Sequence, residues 1–210
     1  MKDNPRILLF AAVLAVICAL LLAGSTIFTA PYRQANEKAE ELRNFLAVLG
    51  APVQELHDSQ KLLELFNRDV RVKTLGRLTL YEYYPDTGGG AKPQAVAVPF
   101  TGMGLWGVIK GVLALQSDLR TIKAISFYQQ EETPGLGGEI ASGWFRRQFE
   151  NKQLLSADGQ AGFRVLKPGG QAGPTEVDGI SGATMTSQRV ELMLDNLARS
   201  IAEEREKYVQ

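Results

Sequence analysis

The chain has 210 residues, enough for one ordinary domain with extensions, and its 23 lysines and arginines are balanced by 23 aspartates and glutamates. A formal net charge of zero argues against a nucleic-acid partner, because domains that bind polyanions carry a basic excess or stripe. One cysteine, Cys18, and one histidine, His57, exclude an iron–sulfur cluster or structural zinc site held by this chain alone, since either takes about four such ligands.

Residues 7–30, ILLFAAVLAVICALLLAGSTIFTA, carry no charge. As a helix rising about 1.5 Å per residue they reach about 36 Å, enough to cross a hydrocarbon core of about 30 Å with some tilt. A cleaved signal peptide has a shorter apolar core, about 7–15 residues, and a small-x-small cleavage site. TIFTAP is a poor cleavage site, so the sequence predicts a retained transmembrane helix behind a stub of residues 1–6. Lys2 and Arg6 flank one side and Arg33, Lys38 and Arg43 the other, so charge leaves the orientation open. Cys18 lies inside the apolar run, which rules out Cys–His catalysis.

Residues 31–74 read as a helical membrane-proximal region. Leu42, Phe45, Leu46 and Leu49 recur at three- and four-residue spacing, and Gly50 is a natural stop. VQELHDSQKLLELFNRDV predicts a second amphipathic helix, with Leu56, Leu62, Leu63, Leu65 and Phe66 on its apolar face. His57 reads there as a surface helix residue, with no nucleophile-elbow glycines nearby. Near Arg71 the character changes. VRVKTLGRLTLYEYYP alternates and is rich in β-branched and aromatic residues, so it predicts strands. DTGGGAKP is a flexible turn and AVAVPF a short strand. Residues 108–115 and 122–128 form a strand pair joined by SDLRT. SGWFRRQFENKQL predicts a helix, FRVLKP a strand and GGQAGPTEV a loop. SQRVELMLDNLARSIAEEREKY closes the chain as an amphipathic helix with Val190, Leu194, Leu197 and Ile201 inward. Residues 75–210 are expected to form one α+β domain, a mostly antiparallel sheet flanked by helices.

Three loops could carry chemistry. In TGMGLWG, residues 101–107, the glycines allow close backbone approach and Trp106 offers a flat surface. A turn holding a core tryptophan explains those residues as well as a ligand contact does. In EETPGLGGEI, residues 131–140, Pro134 with Gly135, Gly137 and Gly138 forbids a regular element, and Leu136 is an apolar residue within a shaped loop. VDGISGATMTS, residues 177–187, places small and hydroxylated residues before a helix N-terminus, where free N–H groups favour a phosphate. It lacks the lysine of a P-loop, so an esterified phosphate suits it better than a free one. Asp178 reads as the residue that orients this turn by accepting backbone N–H bonds. Thr186 and Ser187 are rival acceptors or helix caps.

Residues 178–184, DGISGAT, resemble the flavinylation signature Asp-x-x-Ser/Thr-Gly-Ala-Thr in full. ETPGLGGEI and GLWG resemble loops of the FMN-binding subunit of the sodium-translocating NADH:quinone reductase (Na+-NQR) and, less closely, of the FMN-binding subunit of the Rnf complex. The chain length is nearer the Rnf protein, so the choice of complex stays open. The resemblance implies FMN joined to Thr184 through a phosphoester made by a separate flavin transferase, with Asp178, Ser181, Gly182 and Ala183 shaping the acceptor turn. It implies that Glu132, Thr133, Gly135, Leu136 and Gly137 line the flavin, Thr133 and Leu136 foremost, with Trp106 near the ring. It also implies a single-pass protein of the bacterial inner membrane, its stub cytoplasmic and its FMN-binding domain extracytoplasmic. Its partners would be the other subunits of a membrane redox complex, a membrane flavin subunit among them. Electrons would pass one at a time, and no residue reads as an acid or base catalyst. Two alternatives are a free-standing membrane-anchored flavoprotein reductase and an assembly or binding protein that is never flavinylated.

Overall fold

The structure is a computed structural model that describes residues 4–54, 56, 58–85 and 92–209. The expectation for His57, most of the DTGGGAKP turn and the start of the stub lie outside the described residues. The chain divides into two compact units, Met1–Glu40 and Glu41–Gln210. Helix α1 (Asn4–Leu49) supplies the first unit and opens the second.

In the first unit the side chains of residues 5–29 are exposed. A helix apolar on every side has no face to bury in a soluble core, which fits a lipid-facing span. Its polar atoms are dealt with locally: Thr26 Oγ1 donates to the Leu22 carbonyl at 2.8 Å and Thr29 Oγ1 to the Ser25 carbonyl at 2.9 Å. Such i−4 bonds satisfy a hydroxyl in an apolar medium.

The second unit is built on a five-stranded antiparallel sheet in sequence order: β1 (Val70–Leu75), β2 (Leu78–Tyr83), β3 (Ala95–Met103), β4 (Val108–Leu115) and β5 (Ile122–Gln129). The α+β expectation is borne out. Period-two alternation sorts β3 cleanly. Val96, Val98 and Phe100 enter one core, while Ala95 and Ala97 enter the other. The first core is closed by α4 (Thr184–Val209) through Val190, Leu194, Leu197 and Ile201, and by Phe145, Phe149 and Phe163. Fully burying each of these side chains contributes roughly 1.5–3 kcal/mol. The second core is closed by Phe45, Leu46 and Leu49 at the end of α1 and by Leu62 of α2 (Ser59–Asp69).

Four details depart from the sequence reading. The end of α1 and α2 pack on the sheet itself, because an amphipathic stripe says that a helix is covered but not by what. Helix α2 starts later than expected, at Ser59, where Asp58 Oδ1 accepts the Gln60 N–H at 2.9 Å as N-cap. Helix α3 is only Gly143–Arg147. It stops because residues 151–154 return to the start of β5: Asn151 N–H bonds to Ile122 O at 2.9 Å and Ile122 N–H to Lys152 O at 2.8 Å. That route leaves Asn151 at φ 62° and seats Phe149 and Leu154 in the core. Finally, residues of the expected loop pair as strands, β6 (Arg164–Leu166) lying parallel to β7 (Glu176–Asp178).

Candidate functional site

Strand β7 delivers the chain to the acceptor turn, and α4 begins at Thr184. Gly182 holds φ 74°, a left-handed conformation that suits glycine. Ile180 and Ala183 are buried, whereas Ser181, Gly182, Thr184 and Met185 are exposed. The three hydroxyls that open α4 part company. Thr184 points outward, while Thr186 and Ser187 are 1% and 4% exposed. Thr186 Oγ1 donates to Glu132 Oε2 at 2.5 Å, and Ser187 Oγ accepts the Ile180 N–H at 3.1 Å. The rivals for the acceptor position are therefore packed inside and bonded.

Asp178 does not orient the turn as expected. Its backbone is paired with the Gln148 side chain, and its buried Oδ1 has no hydrogen-bond partner among the described residues. The turn is held instead by Ser187 Oγ and by the Ala183 N–H to Ile180 O bond at 3.1 Å.

The second glycine loop abuts this turn. A Cβ on Gly182 would lie 3.0 Å from Leu136 Cδ2, so Leu136 rests against the acceptor turn while remaining 43% exposed. Pro134 and Gly135 are exposed, and so is Thr133, whose carbonyl accepts the N–H groups of Leu136 at 3.1 Å and Gly138 at 2.9 Å. Gly137 is buried for want of room: a Cβ there would fall 2.5 Å from Thr186 Oγ1 and 2.7 Å from Glu132 Oε2.

The third loop, residues 104–107, is the turn between β3 and β4, closed by Gly104 N–H to Gly107 O at 2.8 Å. Trp106 is 69% exposed, so it is not a core tryptophan. Glu132 is 4% exposed and ties this turn to the other two loops. Its Oε1 accepts the Leu105 N–H at 2.8 Å and the Trp106 N–H at 3.0 Å. Gly104 is crowded by that same oxygen and by Ile109.

Of the residues named from the sequence, Thr133, Gly135, Leu136, Ser181, Gly182, Thr184 and Trp106 present surface, and Glu132, Gly137 and Ala183 lie inside. Sequence reasoning passed over Leu105, Met103 and Met185, which are exposed apolar side chains on the same loops. Their signal was present: large apolar residues beside glycines in segments that could be neither core helix nor central strand. Clefts of about 240 Å³ between the end of α1, β5 and α3, and of about 510 Å³ beside β6 and α4, are lined by other residues. The acceptor turn is an open surface edged by apolar side chains, suited to a flat ring tethered at one end. Small residues, an outward hydroxyl and the free amides of a helix start all fit a flavin phosphate.

Comparison with known proteins accords with this geometry. Residues 104–199, which hold all three loops, match the model of an FMN-binding domain. The chain is 28% identical to the NqrC subunit of the Na(+)-translocating NADH-quinone reductase of Yersinia pestis, over 90% of this chain and 89% of that protein. It is 29% identical to the corresponding subunit of Pseudomonas aeruginosa, over 92% and 90%. The chain belongs to the NqrC family. The crystal structure of Shewanella oneidensis NqrC shares the fold of this family member, with a TM-score of 0.71, 22% identity and coverage of 83% of this chain and 99% of that one. Of the two complexes left open by the sequence, the likeness falls on the sodium-translocating one. With family membership, the apolar run of α1 makes this a membrane-anchored, single-pass protein.

Proposed function

We propose that this protein is the FMN-carrying electron-transfer subunit of a Na(+)-translocating NADH-quinone reductase, with FMN joined to Thr184 through a phosphoester. The observation that carries the assignment is the sorting of hydroxyls at the start of α4: Thr184 is exposed, while Thr186 and Ser187 are buried and engaged. When bound, FMN exchanges electrons one at a time; the protein's part is to hold and shield it. Thr184 fixes the phosphate end beside the free amides of α4. Leu136, against the acceptor turn, and Trp106 supply apolar cover for the ring, and Thr133 offers a hydroxyl at its edge. Glu132, Gly137 and Ala183 support this arrangement from beneath. A flavin transferase loads the chain, and the other subunits, a membrane flavin subunit among them, are its redox neighbours. The domain works outside the cytoplasm of a bacterial inner membrane, where a covalent bond prevents loss of the cofactor.

The test is intact mass and peptide mapping of the membrane-extracted protein made with the transferase. The expected result is a gain of one FMN less water on the peptide containing Thr184. Thr184→Val is expected to abolish that gain and leave thermal stability within about 0.5 kcal/mol, as for a surface substitution. Covalent FMN on Thr184→Val would overturn the site. An unmodified wild type from cells with an active transferase would overturn the function and favour an assembly role.

A further inference from the structure

Thr184 and Thr186 stand two residues apart in α4, and two residues on an α-helix point about 200° apart. Drawing one inward therefore turns the other outward. Thr186 is drawn inward by the bond from its Oγ1 to Glu132 Oε2, at 2.5 Å. The other oxygen of the same carboxylate accepts two successive backbone N–H groups from the turn that carries Leu105 and Trp106. The Glu132 backbone is itself held, its N–H donating to Gln130 Oε1 at 2.6 Å. One buried side chain thus bonds the acceptor helix and the Trp106 turn, and its own loop carries Leu136.

We propose that Glu132 is a positioning residue of the flavin site and not a flavin contact. Through Thr186 it sets the rotational phase of the first turn of α4, and through Leu105 and Trp106 it sets the spacing of the apolar cover. Its charge has no cationic partner within 4.0 Å among the described residues, and three hydrogen-bond donors meet it instead. Donors of that kind act only at short range and good angle, so the carboxylate holds all three segments in register or loses its solvation. Gly104 and Gly137 point the same way. Each is placed where a Cβ would strike a Glu132 oxygen, so the loops approach the carboxylate as closely as backbone allows. This inference rests on the reading of Thr184 as the FMN acceptor.

The experiment uses the full chain made with the flavin transferase. It follows the loaded fraction over time by intact mass and ring mobility by flavin fluorescence anisotropy, well below each variant's melting temperature. Thr186→Val keeps the side-chain shape and deletes the bond to Glu132. It is expected to slow loading on the order of tenfold and to loosen the ring, since misplacement of a reacting group by about 1 Å has effects of that size or larger. Thr186→Ser, which keeps the hydroxyl, is expected to behave as wild type. Glu132→Ala combined with Thr186→Val should be no worse than the more impaired single variant, as for two residues acting as one unit. Wild-type loading and anisotropy in Thr186→Val, with wild type itself fully loaded, would overturn the positioning role and leave the function standing. A wild type that never acquires FMN would overturn the function first.

Discussion

Both ends of α4 are tied to the rest of the domain by a hydroxyl donating to a buried glutamate, and the two ties are built differently. At the C-terminal end Tyr208 donates to Glu82 Oε1 at 2.8 Å and Tyr84 to Glu82 Oε2 at 3.0 Å, with Lys73 Nζ 4.0 Å away. Lys73 also lies over the Tyr208 ring and Arg71 over the Tyr84 ring, at 4.7 Å and 4.4 Å. Cations and aromatic bulk close that end. At the N-terminal end Glu132 meets backbone amides, a threonine and glycines, and Thr184 is left in the open. The same bond fastens a helix in one place and keeps a surface available in the other. What differs is the bulk around it.

The contrast can be broken most forcefully at Gly137. Gly137→Ala forces a Cβ against Thr186 Oγ1 and Glu132 in a buried position. It is expected to cost about 1–3 kcal/mol, as overpacking does, and to reduce FMN loading together with stability, read by thermal melts and intact mass. At the other end Tyr208→Phe removes one donor to Glu82. The expected loss is about 1 kcal/mol, with loading unchanged in the same assay. A fall in loading there would mean that the two ends are coupled along the helix. The smallest effect concerns pH. Burial first, and then Glu41, raise the Tyr128 hydroxyl from 10.0 to about 12. Burial and Glu82 raise Tyr208 in the same direction. Folding therefore favours the protonated phenols. That stability is fully present below pH 10 and is lost as pH rises towards 12. Melting temperature should decline over this window, and Tyr128→Phe should flatten the decline, while the loaded fraction of protein already bearing FMN stays constant.

Much of the site was legible because it is local. DGISGAT and PGLGG are contiguous strings whose glycines, prolines and hydroxyls restrict the backbone wherever they occur. The strands were legible for the same reason, since β-branched alternation shows which residues face inward. What escaped was set by distance. Nothing near Glu132 in sequence says that its partners are Leu105, Trp106 and Thr186, so it reads as one more polar residue of a ligand loop. Asp178 failed in the opposite way: its nearness to the turn suggested bonds that Ser187 makes instead. Helix α3 was overestimated because the return of residues 151–154 to β5 outweighs helical periodicity.

The bond between Thr186 and Glu132 joins residues 54 positions apart, and Glu132 reaches a further 27 back to Leu105. Hairpins such as β3–β4 and β4–β5 close over much shorter loops and form sooner, because chain entropy penalises distant contacts more. The start of α4 is thus among the last parts of the domain to be fixed. A chain still folding already has the acceptor threonine but not yet its outward pose, so competence to receive the flavin is a timestamp of completed folding.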